Sequence, residues 1–166
     1  MKTIRNLLVI IFILLIASST WAAGTVTATA NKIVNPYSAR PEYLRILLTC
    51  TADAGLNTYP ATIINEMTNI INVYNLVGLE LYLVGAYPGS PAPTDATDST
   101  IMQDGIDLLG GKGTDLIDNT GHTQTLVGPS GSYAPQPVTG KLTLNISNNA
   151  VGSAVTYLIL MFRYPN

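Results

Sequence analysis

The stretch TGKLTLNISNNAVGSAVTYLILMFRY, residues 139–164, decides the fold of this chain. Apolar and polar residues alternate over residues 139–147, and residues 153–164 are almost entirely apolar or aromatic. Runs of this kind, bounded by turn-forming residues, predict β-strands. Asn148 and Gly152 lie between the two runs and favour a reversal of the chain. We therefore predict a β-hairpin whose second strand is buried.

Segments upstream continue the β pattern. Residues 43–51 (YLRILLTCT) predict a strand buried on both faces, and residues 79–87 (LELYLVGAY) predict a core strand in which Gly85 marks a bulge. Residues 25–30 (TVTATA) alternate Thr with small apolar residues, which is typical of an edge or exchanged strand. Residues 100–103 predict a short strand.

Residues 62–74 leave two interpretations open. Five of their apolar side chains recur at helical spacing, namely Ile63, Met67, Ile70, Ile71 and Tyr74. The Ile, Val and Thr content of the same segment favours an irregular pair of strands. Strands separated by Gly/Pro loops, with at most one short helix, predict an all-β fold, an antiparallel β-sandwich or jelly-roll-like single domain over residues 23–166.

Residues 1–22 have the features of a secretory signal peptide. Lys2 and Arg5 supply the positive region, residues 7–16 are an unbroken apolar run, and Ala22 ends a sequence with small residues at the cleavage positions. A transmembrane helix needs about 20 apolar residues, so the shorter run favours a signal peptide. We predict an exported protein, periplasmic, extracellular or virion-associated, that meets a membrane only through this peptide and begins with an extended arm at residues 23–36.

Composition narrows the classes of function. The chain is 47% hydrophobic and 11% charged with a formal net charge of −2, so it has no basic field for a nucleic acid. Cys50 is the only cysteine and lies in an apolar run, which predicts a core residue. The sequence contains no nucleophile elbow, Walker loop or H-E-x-x-H motif. We predict that the protein is not an enzyme and has no cofactor.

One loop resembles a metal-binding repeat. Residues 110–118 (GGKGTDLID) fit the calcium-binding nonapeptide G-G-x-G-x-D-x-U-x, and Asp107, Asp115 and Asp118 are the candidate calcium ligands. In proteins built from such nonapeptides, the calcium ion lies between two consecutive repeats. Here the preceding partial repeat is offset by eight residues, not by the nine that the pattern requires. We therefore expect an Asp/Gly-rich surface loop and keep calcium as the alternative. His122, a candidate general base, is expected to be an exposed loop residue.

Nine tyrosines against two phenylalanines is the composition of a binding surface, because Tyr combines apolar area with a polar tip. Tyr37, Tyr59, Tyr87 and Tyr133 lie in or beside predicted loops, where they could stack on sugars. The interpretation we favour is packing at subunit contacts and at the rims of the sandwich.

Two stretches, residues 78–116 and 137–162, resemble a known group of proteins. The shared features are Pro88-Gly89 after a strand, APTD at 92–95, DSTI at 98–101, DGIDLLGG at 104–111, and the strands at 140–144 and 155–162. In this order and spacing, the C-terminal two thirds of the chain resembles small β-rich structural proteins of tailed bacteriophages and prophages. The resemblance implies a compact virion-associated protein and carries over no catalytic residue. The signal peptide departs from it, since ordinary virion proteins assemble in the cytoplasm.

These observations predict a non-enzymatic structural or assembly protein, a phage or phage-like virion-associated β-sandwich. We expect it to form homo-oligomers through the N-terminal arm and the sheet faces, and to contact virion or surface-structure proteins. An edge strand at residues 25–30 would offer main-chain hydrogen bonds to a neighbouring chain. The alternative is an exported fimbria-like subunit or surface adhesin, including a carbohydrate-binding module.

Overall fold

The computed structural model describes residues 23–34, 41–72, 74–129 and 132–165. The predicted signal peptide, the last two residues of the predicted arm and Tyr37 lie outside these ranges. None of the helices in the described ranges has the length and apolar character needed to cross a membrane.

The regular secondary structure of the described residues is mainly β-strand, with one 3-10 turn and one short helix. The strands are β1 (Thr25–Val34), β2 (Pro41–Thr51), β3 (Thr62–Ile63), β4 (Glu80–Pro88), β5 (Asp98–Gln103), β6 (Ile106–Asp107), β7 (Thr123–Leu126), β8 (Gln136–Pro137), β9 (Leu142–Ser147) and β10 (Val155–Arg163). The 3-10 turn is Ile64–Glu66 and the helix, α1, is Thr68–Ile71. The predicted all-β, single-domain fold is confirmed.

The strands form two antiparallel sheets. The larger sheet has six strands in the order β1-β2-β10-β4-β7, with β8 also paired to β4. The smaller sheet has four strands in the order β3-β9-β5-β6. β10 pairs with β2 on one side and with β4 on the other, so the apolar run at residues 153–164 forms the central strand of the larger sheet.

The predicted hairpin over residues 139–164 is wrong. β9 pairs with β3 and β5 in the smaller sheet, whereas β10 belongs to the larger sheet. Asn149 fixes the crossing: its side-chain oxygen accepts from the Thr94 amide at 3.1 Å, and its side-chain nitrogen donates to the Asn57 carbonyl at 2.7 Å. Turn-forming residues favour a change of direction in either case, so their presence does not distinguish a hairpin from a crossing between sheets.

The core lies between the two sheets. Every second residue of β2 and β10 is buried, as the two-residue period of a strand requires. The fully buried apolar residues of these strands are Leu44, Ile46, Leu48, Cys50, Leu158, Leu160 and Phe162. The alternate residues are half-buried or exposed, so the prediction that β2 is buried on both faces is wrong. Cys50 lies in the core as predicted, and burial raises the pKa of its thiol to about 12.

The ambiguous segment that begins at residue 62 combines both interpretations. It starts as the two-residue strand β3 and continues through the 3-10 turn into the single helical turn α1. Ile64 and Ile70 anchor the segment, because both side chains are fully buried. Neither a regular amphipathic helix nor a pair of long strands is needed to bury these residues.

β1 confirms the predicted edge strand. It pairs antiparallel with β2 and lies at the end of the larger sheet, so most of the predicted arm is a strand paired within its own domain. The Asn69 side chain donates to the Ala28 carbonyl at 3.1 Å, and the Tyr74 hydroxyl donates to the Ala30 carbonyl at 3.4 Å. An edge strand is a template for pairing with another chain, and these contacts occupy part of it.

Candidate functional site

The outer face of the larger sheet carries apolar and aromatic side chains. When an antiparallel sheet has one face against the core, the other face is commonly solvated and polar. Most outward residues of the three central strands are half-buried. We call the following apolar and aromatic members the aromatic face: Leu47, Ile159, Met161, Leu83, Tyr43, Tyr82, Tyr87 and Tyr157. A charged residue, Arg45 of β2, lies among them as the register partner of Met161 and is also half-buried.

The strand register brings the apolar members of the aromatic face together. Ile159 lies between Leu47 of β2 and Gly85 of β4, and Met161 pairs with Leu83 in the next outward row. Ile159 is the middle residue of β10, and β10 is the middle strand of the five-strand path through the sheet. Ile159 therefore lies at the centre of the aromatic face.

Three rings form a stack at one end of the aromatic face. The Tyr87 ring lies 4.7 Å from the Tyr157 ring with an interplanar angle of 16°, and 4.9 Å from the His122 ring with an angle of 20°. Tyr157 and Tyr87 are register partners on β10 and β4, and His122 directly precedes β7, which pairs with β4. The pairing of β7 therefore brings His122 beside Tyr87, a contact that the sequence analysis missed.

The opposite end of the aromatic face carries a second pair of rings and an ion pair. The Tyr43 and Tyr82 rings lie 5.5 Å apart, and burial, followed by the neighbouring Tyr43, raises the pKa of Tyr82. A register shift places the bulge of β4 at Tyr82, so the prediction of a bulge at Gly85 is wrong. Arg163 of β10 bonds to Glu80 of β4 at this end.

Towards β1 the outer face of the larger sheet becomes polar. Thr25 and Thr27 of β1 pair with Thr51 and Thr49 of β2, so hydroxyl-bearing residues lie side by side. The threonines of β1 are exposed and those of β2 are half-buried. The aromatic face therefore has a polar border along one side.

The outer face of the smaller sheet is mainly polar. Its outward residues are Asp98, Thr100 and Met102 of β5, Thr143, Asn145 and Ser147 of β9, Ile63 of β3 and Asp107 of β6. Ile63 and Met102 are the apolar members of this set. The two outer faces of the sandwich thus differ in chemistry, although both belong to antiparallel sheets that share one core.

The candidate calcium ligands hold the backbone of their own loop. Asp107 accepts from the amides of Leu109 at 3.0 Å and Gly111 at 2.9 Å, one on each carboxylate oxygen. Asp118 accepts from the amides of Thr120 at 2.6 Å and Gly121 at 2.8 Å. The hydrogen bonds from the Thr120 amide and hydroxyl and from the Gly121 amide hold the pKa of Asp118 below its ordinary value.

Asp115 has a different role. Its backbone amide donates to the Asp98 side chain at 2.8 Å, and its φ of 52° lies in the left-handed region. In the part of the chain that the structure describes, no three His, Cys, Asp or Glu side chains are grouped to hold a metal ion. Asp107, Asp115 and Asp118 are therefore not brought together as one ligand set, and calcium binding stays the alternative to the predicted absence of a metal.

The Asp/Gly segment, defined as residues 104–121, is more buried than the surface loop expected for residues 110–118, in which Leu116 and Ile117 are buried. Four of its apolar side chains are buried in the core, namely Leu108, Leu109, Leu116 and Ile117. Ile117 also forms an isolated β-bridge with Thr97, and the Ser99 amide donates to the Gly113 carbonyl at 2.8 Å. The segment therefore packs along β5 as part of the smaller layer.

Lys112, within the nonapeptide pattern, is a second residue that the sequence analysis missed. Its ammonium donates to the carbonyl of Gly128 at 3.0 Å, to that of Leu126 at 3.4 Å and to that of Ser132, and it lies 4.3 Å from the centre of the Tyr133 ring. These partners are distant in the sequence, so no local pattern signals them. Lys112 ties the Asp/Gly segment to β7 and the loop that follows it.

The candidate sugar-stacking tyrosines in the described ranges, Tyr59, Tyr87 and Tyr133, differ in their surroundings. Tyr59 is buried, and its hydroxyl lies 3.1 Å from the Thr156 hydroxyl, so it is not placed to stack on a sugar, the alternative considered for it. Tyr87 stacks against rings on both sides. Tyr133 is 70% exposed but lies under the Lys112 ammonium.

A cleft of about 380 Å³ lies beside the edge strand β1. Its lining residues are Val26, Thr27, Ala28, Thr62, Glu66, Met67, Thr68 and Asn69. Asn69 is the residue whose side chain already bonds to the Ala28 carbonyl. The cleft is thus a place where a strand could be added only after this contact is released.

No protein-family model matches this chain, and neither does any curated protein or solved structure.

Proposed function

We propose that this chain is a non-enzymatic structural or assembly protein that binds a neighbouring subunit through the aromatic face. The observation that carries the proposal is the contrast between the apolar, aromatic outer face of the larger sheet and the polar outer face of the smaller sheet. An accessible apolar patch with a polar border is characteristic of a protein interaction site. The side chains of the aromatic face are half-buried, and the charged Arg45 lies beside Met161 within the face. Tyr and Met are also enriched in the buried centre of such interfaces.

The ring contacts make the aromatic face suitable for binding. Tyr157, Tyr87 and His122 are stacked on one another, so their side chains are already ordered within the subunit. Binding costs less when the side chains it immobilises are ordered beforehand. At the other end of the face, the rings of Tyr43 and Tyr82 are also in contact, in a tilted arrangement.

The setting we propose is a phage or phage-like virion, with the protein reaching it outside the cytoplasm. The support for the setting is the resemblance of residues 78–116 and 137–162 to small phage structural proteins. The support for export is the predicted signal peptide at residues 1–22. The presence of capsid and tail genes beside the gene for this chain would favour this setting.

A fimbria-like subunit is the second candidate, and one observation favours it. β1 is an edge strand beside an open cleft, which is the arrangement needed for the addition of a strand from another subunit. The bonds from Asn69 and Tyr74 to carbonyls of β1 oppose this reaction, since an incoming strand would have to displace them. The presence of chaperone and usher genes beside the gene for this chain would favour the fimbrial candidate.

The test of the proposed function replaces the native gene with one of two variants. Ile159→Lys places a charge at the centre of the aromatic face, and Thr143→Lys places the same charge on the outer face of the smaller sheet. The measurement is the amount of protein that sediments with large assemblies from the native host. We expect Ile159→Lys to be absent from the assemblies and Thr143→Lys to be retained. Equal incorporation of the two variants, both folded by circular dichroism, would refute the proposal.

A further inference from the structure

We infer that the partner of the aromatic face is the same face of a second copy of this chain, and that the two copies close into a two-fold dimer. This inference rests on the proposed function, because it names the partner of the surface proposed there. Three observations carry it: the area of the face, the occupied sheet edges, and the polar character of the opposite outer face.

The area of the outer face is close to what a stable dimer needs. Nine residues of β10 extend over about 30 Å, and five strands about 4.8 Å apart give the larger sheet an outer face of about 700 Å². A standard interface takes about 800 Å² from each partner. The aromatic face would form the centre of the contact, which also contains Arg45 beside Met161. The threonines of β1 and the Arg163–Glu80 pair would form its polar rim.

Both long edges of the larger sheet are partly occupied within the subunit. At β1 the carbonyls of Ala28 and Ala30 accept bonds from Asn69 and Tyr74. At β7 the carbonyl of Leu126 accepts a bond from Lys112. These contacts disfavour growth by edge-to-edge pairing, which leaves the outer face as the surface for association.

The difference between the two outer faces limits the assembly to two copies. When a patch binds its own copy, the contact is two-fold and closes at a dimer, and further growth requires a second, different contact. The outer face of the smaller sheet carries Asp98, Thr100, Thr143 and Asn145, and it offers no comparable apolar patch in the ranges described. Larger assemblies would therefore be built from dimers, with other proteins bound at the remaining surfaces.

The position of Ile159 gives the dimer a specific signature. Ile159 lies at the centre of the outer face, so in a two-fold contact near that centre it faces Ile159 of the second copy. Packed sheets lie about 10 Å apart, so thiols placed at this position in both copies would be within reach of a short bismaleimide. The native Cys50 does not interfere, because it is fully buried in the core.

The experiment measures the mass of the purified protein by sedimentation equilibrium and its cross-linking by a short bismaleimide. We expect twice the mass of one chain for the wild type and for Thr143→Lys, and the mass of one chain for Ile159→Lys. Met161→Gln, a milder change on the same face, should also weaken the dimer. Ile159→Cys should cross-link to a covalent dimer, whereas Thr143→Cys should stay monomeric on a denaturing gel.

The possible outcomes separate this inference from the proposed function. A wild-type protein that is monomeric at its highest soluble concentration overturns the dimer. If Ile159→Lys then still fails to enter assemblies in the host, the proposed function stands with a different partner on the aromatic face. A dimer that persists in both Ile159→Lys and Met161→Gln overturns the inference as well, and shows that another surface makes the contact.

Discussion

Four long strands, with 10 residues in β1, 11 in β2 and 9 each in β4 and β10, make up most of the larger sheet, whereas the strands of the smaller sheet have two to six residues. The smaller sheet is supplemented by the Asp/Gly segment, which bonds to β5 through Gly113 and bridges to Thr97 through Ile117. The larger sheet is thus stabilised by strand pairing and core packing over its whole length. The smaller sheet depends on particular contacts with one segment.

The same difference extends to the outer faces. A sheet of long strands presents a continuous surface on which side chains from neighbouring strands form rows, as Leu47, Ile159 and Leu83 do. The smaller sheet presents a short polar surface and is bordered by the segment that stabilises it. We infer that binding and stability are separated in this molecule, with the docking surface on one sheet and the most sensitive packing on the other.

The largest expected effect is the loss of stability in Gly113→Ala. A methyl group at this position would overlap the Ser99 carbonyl oxygen and would lie 2.9 Å from a methyl carbon of Leu109. Because β5 and the Asp/Gly segment are in contact there, the methyl can be accommodated only if they move apart. We expect the free energy of unfolding to fall by about 4 kcal/mol or more. The free energy of unfolding of the variant and of the wild type is measured by unfolding in urea.

Gly111→Ala is the matched control for that variant. Gly111 has a φ of +81°, and nothing lies within 4 Å of the position of an added methyl group. The substitution therefore introduces backbone strain alone, which costs about 1 to 2 kcal/mol. Equal losses in the two variants would show that the smaller sheet does not depend on the close approach at Gly113.

The next largest effect is expected from the hydroxyl pair of Tyr59 and Thr156, which lies against the larger sheet. The hydroxyls of Tyr59 and Thr156 lie 3.1 Å apart in the core, and both residues are buried. Tyr59→Phe leaves the Thr156 hydroxyl without this partner, so we expect a loss of about 1 to 3 kcal/mol. The double variant Tyr59→Phe with Thr156→Val should recover part of the loss in the same unfolding measurement. A double variant no more stable than Tyr59→Phe alone would show that the hydroxyl pair is not the cause.

The contrast between the sheets also explains what could be predicted from the sequence. The long strands β2, β4 and β10 were predictable because a run of apolar and β-branched residues between turn signals has few other interpretations. Their outer faces were not predictable, since a half-buried Leu47 or Ile159 has the same pattern as a fully buried one. The pairing of β9 with β5 depended on contacts of Asn149 with distant residues, which no local pattern contains.

The Asp/Gly segment shows the same limit more strongly. Its glycines fit a calcium-binding pattern, yet in the structure Gly113 allows close contact with β5, and Gly110 packs where an added methyl would lie 2.5 Å from the Gly128 carbonyl oxygen. Both tight loops and metal-binding repeats require glycine, so the pattern alone does not separate them. The contacts of Lys112 with Gly128 and of His122 with Tyr87 arise only when distant segments pair.

A smaller effect is expected from the titration of Asp118. Hydrogen bonds from Thr120 and Gly121 hold its pKa in the folded protein below the ordinary value of 3.8. Its contribution to stability is therefore fully present above that value and is lost as the pH falls through the lower, folded-state value. Asp118→Asn should reduce the drop in melting temperature over this acidic range and leave the rest of the pH profile unchanged. An identical acid profile in the variant would contradict the assignment.

The smallest expected effect is that of calcium on the Asp/Gly segment. A bound ion would stabilise the fold by about 2.7 kcal/mol at a hundred times its dissociation constant, enough to raise the melting temperature by several degrees. Both side-chain oxygens of Asp107 and one of Asp118 accept hydrogen bonds from loop amides. In the described ranges these carboxylates are not grouped as a metal site, so binding would require the loop to rearrange. We therefore expect millimolar calcium to leave the melting temperature unchanged, with magnesium as the control for ionic strength. A rise that occurs with calcium but not magnesium, and that disappears in Asp115→Ala, would show that the segment is a metal site and would place a ligand-dependent element in the smaller layer.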